Sequence, residues 1–155
     1  MAQHSGFART VEWKRCNPAR SAGLSATTSA PARAFLLPTG IIFIQIGAAA
    51  AIAPQSLVAP FAVHLATGDA AIAVRSGTGG LFAGLGVFWV WASLKPDRHH
   101  TALVSAACVI GGSFLMRGLG IALEGGAGAS QLISLVLEGL GDSNALGLLW
   151  RIRKG

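Results

Sequence analysis

The sequence predicts an all-α protein, a four-transmembrane-helix bundle with a disordered basic N-terminal tail. Three observations lead there. The chain is 52% hydrophobic and 12% charged, with a mean hydropathy of +0.59. A soluble surface ordinarily needs about a quarter charged residues. The apolar residues gather into four runs divided by polar turns, and the 21 glycines lie largely within or beside those runs. Such glycines weaken a soluble helix, whereas in a bilayer they let helix backbones approach closely. A chain of 155 residues has room for one compact domain.

Residues 1–33 read as the tail, and residues 34–155 as the membrane domain. The tail carries Arg9, Lys14, Arg15, Arg20 and Arg33 against the single acid Glu12, and is rich in Ser, Thr, Ala and Pro without a sustained apolar period. Disorder follows from that composition, and the charge suits anionic lipid on the cytoplasmic side. A cleavable targeting peptide and an extension from a misassigned start codon are the rival readings.

The first span is expected over residues 34–53, AFLLPTGIIFIQIGAAAAIA. Pro38 lies near its start, Pro54 ends it, and Gln45 should seek a partner across a helix interface. A secretory signal cleaved after Ala-Ile-Ala competes with this reading, but the long polar leader and Pro54 count against cleavage. Residues 54–74 are apolar but broken by Pro60, Gly68 and Asp69. They predict a loop with a short interfacial helix near Phe61 to Ala66, and His64 is read as an interface residue.

The second span is expected over residues 76–94. Between Arg75 and Lys95 lie 19 residues without an ionisable side chain. At ~1.5 Å per residue they extend ~29 Å, close to a hydrocarbon core of ~30 Å. Gly77, Gly80 and Gly84 share one helix face and are expected to pack on a neighbour, while Trp89 and Trp91 stand at the far end, where a headgroup boundary suits them. The turn Lys95 to His100 follows. Its adjacent histidines diverge on any regular element and have no third ligand nearby, so no metal site is assigned.

The third span, residues 101–123, places Thr101, Ser105, Cys108 and Gly112 on one face for contact with another helix. Arg117 lies several residues inside the apolar run, where it either snorkels to the surface or pairs within the bundle. After the flexible turn at Glu124, the fourth span covers residues 130–150. Gln131, Ser134, Glu138 and Asp142 recur along it as a polar stripe roughly 80° wide at 100° per residue. Either that stripe faces protein or water along one continuous helix, or the helix breaks at Gly139 to Gly141.

Arg75-x-x-x-Gly79-Gly80-(x)3-Gly84-x-Gly86 at the second span, Gly111-Gly112-x-x-x-x-Arg117 in the third, Glu124-Gly125 in the turn and Glu138 in the fourth resemble a bacterial family of four-span integral membrane proteins, a domain of unknown function. The resemblance covers about residues 36–152 and leaves the tail outside. More loosely, the architecture is similar to DoxX-like four-helix membrane proteins. The resemblance implies the four-span fold and brings no activity.

Basic residues are concentrated in the tail, the Lys95–Arg98 turn and the C-terminus, which predicts a multi-pass inner-membrane protein with both termini cytoplasmic. That orientation sets Arg75, Arg117, Glu124 and Glu138 toward the outer face as one polar cluster, with Arg117 paired to Glu138. The formal charge of +6 lies in tails and one turn, so no nucleic-acid partner is assigned. Cys16 and Cys108 form no CxxC, and no complete dinucleotide fingerprint, Walker lysine, HExxH or GxSxG occurs. No catalytic residue and no cofactor is therefore assigned. The leading expectation is a small structural or accessory membrane protein, or a helical bundle that binds a lipophilic ligand between its helices. The alternative is an oligomeric transport or channel subunit with the polar face of the fourth span lining a path. An enzyme using Glu138 as acid or base ranks last, because no nucleophile, metal set or cofactor motif accompanies it. The expected partners are the lipid bilayer and either further copies or other membrane subunits.

Overall fold

Among the described residues, four helices are long and apolar enough to cross a membrane: Ala30–Ile52, Gly68–Ser93, Pro96–Glu124 and Ala129–Lys154. They come from a computed structural model that describes the backbone of residues 18–154 and the side chains of residues 30–154. The protein is all-α among these residues, and it is a multi-pass membrane protein. Many large hydrophobic side chains of the spans face outward, Ile52, Leu115, Met116, Leu123 and Leu137 among them. A bilayer suits that surface and water does not.

Helix α1 spans Pro18–Ile52. It begins well before the expected span and takes residues 18–33 of the expected tail into the helix. Ala32 and Leu36 are fully buried there, so the packed part of α1 includes a residue of the expected tail. The tail expectation for residues 1–17 lies outside the described residues. Pro31 and Pro38 sit inside α1. In a membrane helix, neighbouring groups make such prolines tolerable.

The connection after α1 differs from the expected short helix near Phe61 to Ala66. Helix α2 spans Pro54–Val58 and runs into a 3₁₀ turn, Ala59–Phe61. Ala62 then takes a left-handed conformation (φ 57°) that ends it. The side chain of Gln55 organises the next residues, donating to the Val63 carbonyl (3.2 Å) and accepting from the Leu65 amide (2.9 Å). Helix α3, Gly68–Val74, starts at Thr67, whose Oγ1 accepts from the Ala70 amide at 3.2 Å. Asp69 in the first turn complements the helix dipole. Thr67-Gly68-Asp69 is thus a helix start, and the second span begins eight residues before Ser76. It passes through a π-helical stretch, Arg75–Gly80, into α4, Leu81–Ser93.

A 3₁₀ turn, Pro96–Arg98, leads to α5, His99–Glu124, which Gly125 ends in the left-handed conformation (φ 73°). Helix α6 is continuous from Ala129 to Lys154, without a break at Gly139 to Gly141.

The helices associate as two antiparallel pairs, α1 with α4 and α5 with α6. Glycine sets the first pair, though not at the expected positions. A Cβ on Gly40 would come within 2.8 Å of the Gly86 carbonyl, and one on Gly86 within 2.6 Å of the Gly40 carbonyl. A Cβ on Gly47 would meet the Ala83 backbone at 2.5 Å. These helices touch backbone to backbone. Around Gly80, Gly84 and Gly112, by contrast, a Cβ would find open space within 4 Å. The contact face is therefore the neighbouring one, with Gly79 and Gly86 in place of Gly80 and Gly84.

The two pairs join through a core of Leu36, Trp89, Ala92, Leu103, Ala106 and Ile110. Trp89 is fully buried and donates from Nε1 to Ser105 Oγ at 2.8 Å, while Trp91 is 46% exposed. Trp89 therefore packs inside the bundle rather than standing at a boundary, while Trp91 stays on the outer surface. Residues two apart on a helix point about 200° apart, so one ring faces in when the other faces out. Cys108 is also exposed, so of the expected small face it is Ser105 that reaches a neighbouring helix.

Candidate functional site

An arginine inside a span must find hydrogen-bond acceptors or reach water. Arg117, late in α5, finds them on α6. Its Nη2 donates to Glu138 Oε1 at 2.8 Å and its Nε to Glu138 Oε2 at 3.0 Å. This is the bidentate fork that guanidinium geometry favours. The remaining arm, Nη1, donates to Gln131 Oε1. Gln131 and Glu138 lie two turns apart on one face of α6, and the planar head of Arg117 bridges them. Pairing, not snorkelling, accounts for Arg117. The side chains remain 25% (Arg117) and 20% (Glu138) exposed, so the pair is largely but not wholly shielded.

The other two residues of the expected cluster are placed differently. Glu124 lines an open cleft of about 570 Å³ together with Arg117, Gln131 and Ser113, and no ion pair reaches it among the described residues. Arg75 belongs to the other helix pair. Its Nε donates to the Ala51 carbonyl at 3.0 Å, satisfying one of the acceptors left over at the end of α1. The cluster is therefore Arg117, Glu138 and Gln131 with Glu124 at its rim, and Arg75 stands apart as a helix-end donor.

Gln131 and Asp142 were visible as members of the polar stripe but not as members of a site. The Asp142 carboxylate lies against Gly111, where a Cβ would come within 2.9 Å of Oδ1. Gly111 thus makes room for an acid. The signal that finds this contact is register. With Arg117 opposite Glu138 in an antiparallel pair, moving back along α5 means moving forward along α6, and Asp142 arrives near Gly111.

A second cavity, of about 370 Å³, is lined by all four spans and opens to the surface beside Ile42 and Leu137. Its walls include Phe35, Phe43, Phe82 and Ile110, and its polar edge is formed by Ser113, Ser134 and Glu138. Phe43 stacks on Phe82 with ring centroids 4.9 Å apart, which stiffens one wall. Ser113 borders both spaces. Arg117 faces the outer cleft and Glu138 the inner cavity, so their ion pair stands between the two. His99, at the opposite end of the bundle, is buried and donates from Nε2 to the Ser93 carbonyl at 3.1 Å.

A family described as a domain of unknown function (DUF4345) matches residues 31–148. The chain belongs to this family. The match begins beside Ala32, a buried residue of α1, and reaches into all four spans, ending at Leu148 within α6. No curated protein and no solved structure matches the chain. The family carries no activity with it, so the chemistry of the site must be read from its own residues.

Proposed function

We propose that the protein is a small accessory bundle of the inner membrane, with both termini cytoplasmic, that holds a lipophilic ligand between its helices. The observation that carries this reading is the cavity of about 370 Å³ among the four spans, with aromatic and branched walls and a short polar edge. Ligand pockets typically occupy about 300–1,000 Å³ and combine apolar walls with a few placed polar groups. Ser113 and Ser134 supply hydroxyls at that edge, and Glu138 contributes a carboxylate already neutralised by Arg117. An uncharged head on an apolar body fits this lining better than an ion. The test is mass spectrometry of small molecules that co-purify in mild detergent, for the parent chain and for Gly141→Leu. Gly141 lines the cavity, and a Cβ there meets Ile110 at 3.4 Å, an ordinary contact. The variant should fold and lose the ligand. A parent chain that carries only bulk lipid, unchanged in the variant, refutes the reading.

A transport or channel role is the second reading. It is favoured by one observation, that the Arg117–Glu138 pair separates the outer cleft from the inner cavity. On that reading, Glu138→Gln alters flux across proteoliposomes. On the binding reading it changes ligand occupancy alone.

A further inference from the structure

The ligand reading does not account for the side chain of Gln45. Gln45 lies on the outward face of α1 and is exposed, with no hydrogen-bond partner among the described residues. By position it is deep. It stands seven residues before Ile52, the last residue of α1, or ~10 Å along the axis at ~1.5 Å per residue. That is farther than a side chain with two methylenes extends.

Other polar side chains of the spans solve the same problem within their own helices. Thr39 donates to the Phe35 carbonyl at 2.7 Å, Ser143 to Gly139 at 2.7 Å, and Asn144 to Leu140 at 2.8 Å. Gln45 makes no such bond, and its amide presents two donors and an acceptor toward lipid. Leaving such a group unpaired in hydrocarbon is strongly unfavourable. The surrounding face is suited to another helix. Ile41, Gln45, Ala48 and Ile52 are all exposed and recur at the 4-3-4 spacing of a two-helix seam, with Ala48 and Ala49 small enough for close backbone approach.

We propose that a second copy of this chain packs against this face of α1 by a two-fold axis, with the two Gln45 amides bonded across the interface. The occupant follows from the chemistry. A carboxamide is its own hydrogen-bonding complement, and a two-fold axis brings the same residue opposite itself without requiring any second protein to match its depth. A single polar residue in an apolar seam also fixes register, which the flat Ile and Ala contacts alone would not. This inference is independent of the ligand reading, since Gln45 lies outside the inner cavity's lining.

The test uses the full chain with Cys16→Ser and Cys108→Ser, reconstituted in lipid nanodiscs or held in mild detergent. Ala48→Cys in that background should form a disulfide-linked homodimer on mild oxidation, and Val136→Cys on the exposed face of α6 should not. Sedimentation in detergent should give a dimer whose dissociation constant rises about tenfold in Gln45→Leu, the scale of one or two interhelical hydrogen bonds in a membrane. Gln45→Asn should retain most of the association. A monomeric parent chain overturns the proposal, as does a cross-link from position 48 to a different polypeptide. So does a dimer indifferent to Gln45→Leu. Because Gln45 is exposed in the single chain, Gln45→Leu should keep the parent's helicity in circular dichroism. A variant that fails to fold would show that Gln45 serves its own chain, and would overturn the proposal equally.

Discussion

Replacing Arg117 by Leu removes three hydrogen bonds at once, two to Glu138 and one to Gln131. It also leaves the Glu138 carboxylate without its cation in a site where that side chain is only 20% exposed. Breaking a fully buried pair from one side costs about 3–5 kcal/mol, and the residual exposure here brings the expectation to about 2–3 kcal/mol. Glu138→Leu strands the guanidinium instead. Arg117 keeps Gln131 and can extend outward, so about 2 kcal/mol is expected. The double variant replaces the pair with apolar side chains, strands only the weaker Gln131 amide, and should cost about 1–2 kcal/mol. The coupling is therefore about 2–3 kcal/mol, near the upper end for contacting residues. The assay is a double-mutant cycle by denaturation in detergent, with Gln131→Leu alone as a control for the third bond. Losses that simply add would refute the reasoning, because they would mean that the pair contributes nothing beyond its separate members.

Three further outcomes follow from particular contacts. Gly86→Ala should destabilise the protein by about 2–3 kcal/mol, since backbone atoms of α1 occupy the space its Cβ needs, while Gly84→Ala should be neutral or slightly stabilising; equal effects would contradict the placement of α1 on α4. Thr67→Ala should loosen the start of α3 by about 1 kcal/mol, read as faster amide exchange at Ala70 and Ala71; unchanged exchange would mean the cap is idle. Alkaline phosphatase fused after Lys154 should be inactive and fused near Gly68 active, and the reverse pattern would overturn the proposed orientation.

Helix number and rough limits could be read from the chain because they depend on local quantities: the length of an apolar run, a proline at its end, a glycine after it. Where α5 stops at Gly125, composition and structure agree for that reason. The start of the second span was hidden because Thr67-Gly68-Asp69 serves equally as a turn or as a cap, and only the hydrogen bond from Ala70 decides. Which glycines touch a neighbour was hidden for a different reason. Gly79 and Gly80 are adjacent, so both candidate faces carry glycine, and a rotation of 100° about the helix axis separates the right answer from the wrong one. Rotation is set by the partner helix, and no property of the second span alone contains it. Trp89 and Trp91 carry the same lesson, since one had to turn inward and only the presence of Ser105 on α5 shows which.

The Arg117–Glu138 pairing was legible where the glycine face was not, and the contrast has a physical basis. A charge in hydrocarbon has few tolerable surroundings, so depth and sign together nearly select its partner, whereas a glycine tolerates lipid, protein or nothing. The structure then divides along the same line. The close-packed core of Leu36, Trp89, Leu103 and Ala106 gathers at the end of the bundle that carries the termini, where all four spans meet. Toward the other end, the α1–α4 pair is held by glycine contacts and the α5–α6 pair by charge. Between the pairs lies the cavity lined by all four spans, whereas α5, α6 and the turn joining them bound the outer cleft. On the proposed ligand reading, a guest enters between α5 and α6, where polar contacts hold the bundle, rather than at the tightly packed end. An arginine and a glutamate can part and re-form around a ligand, but a buried tryptophan cannot leave its core without opening a void.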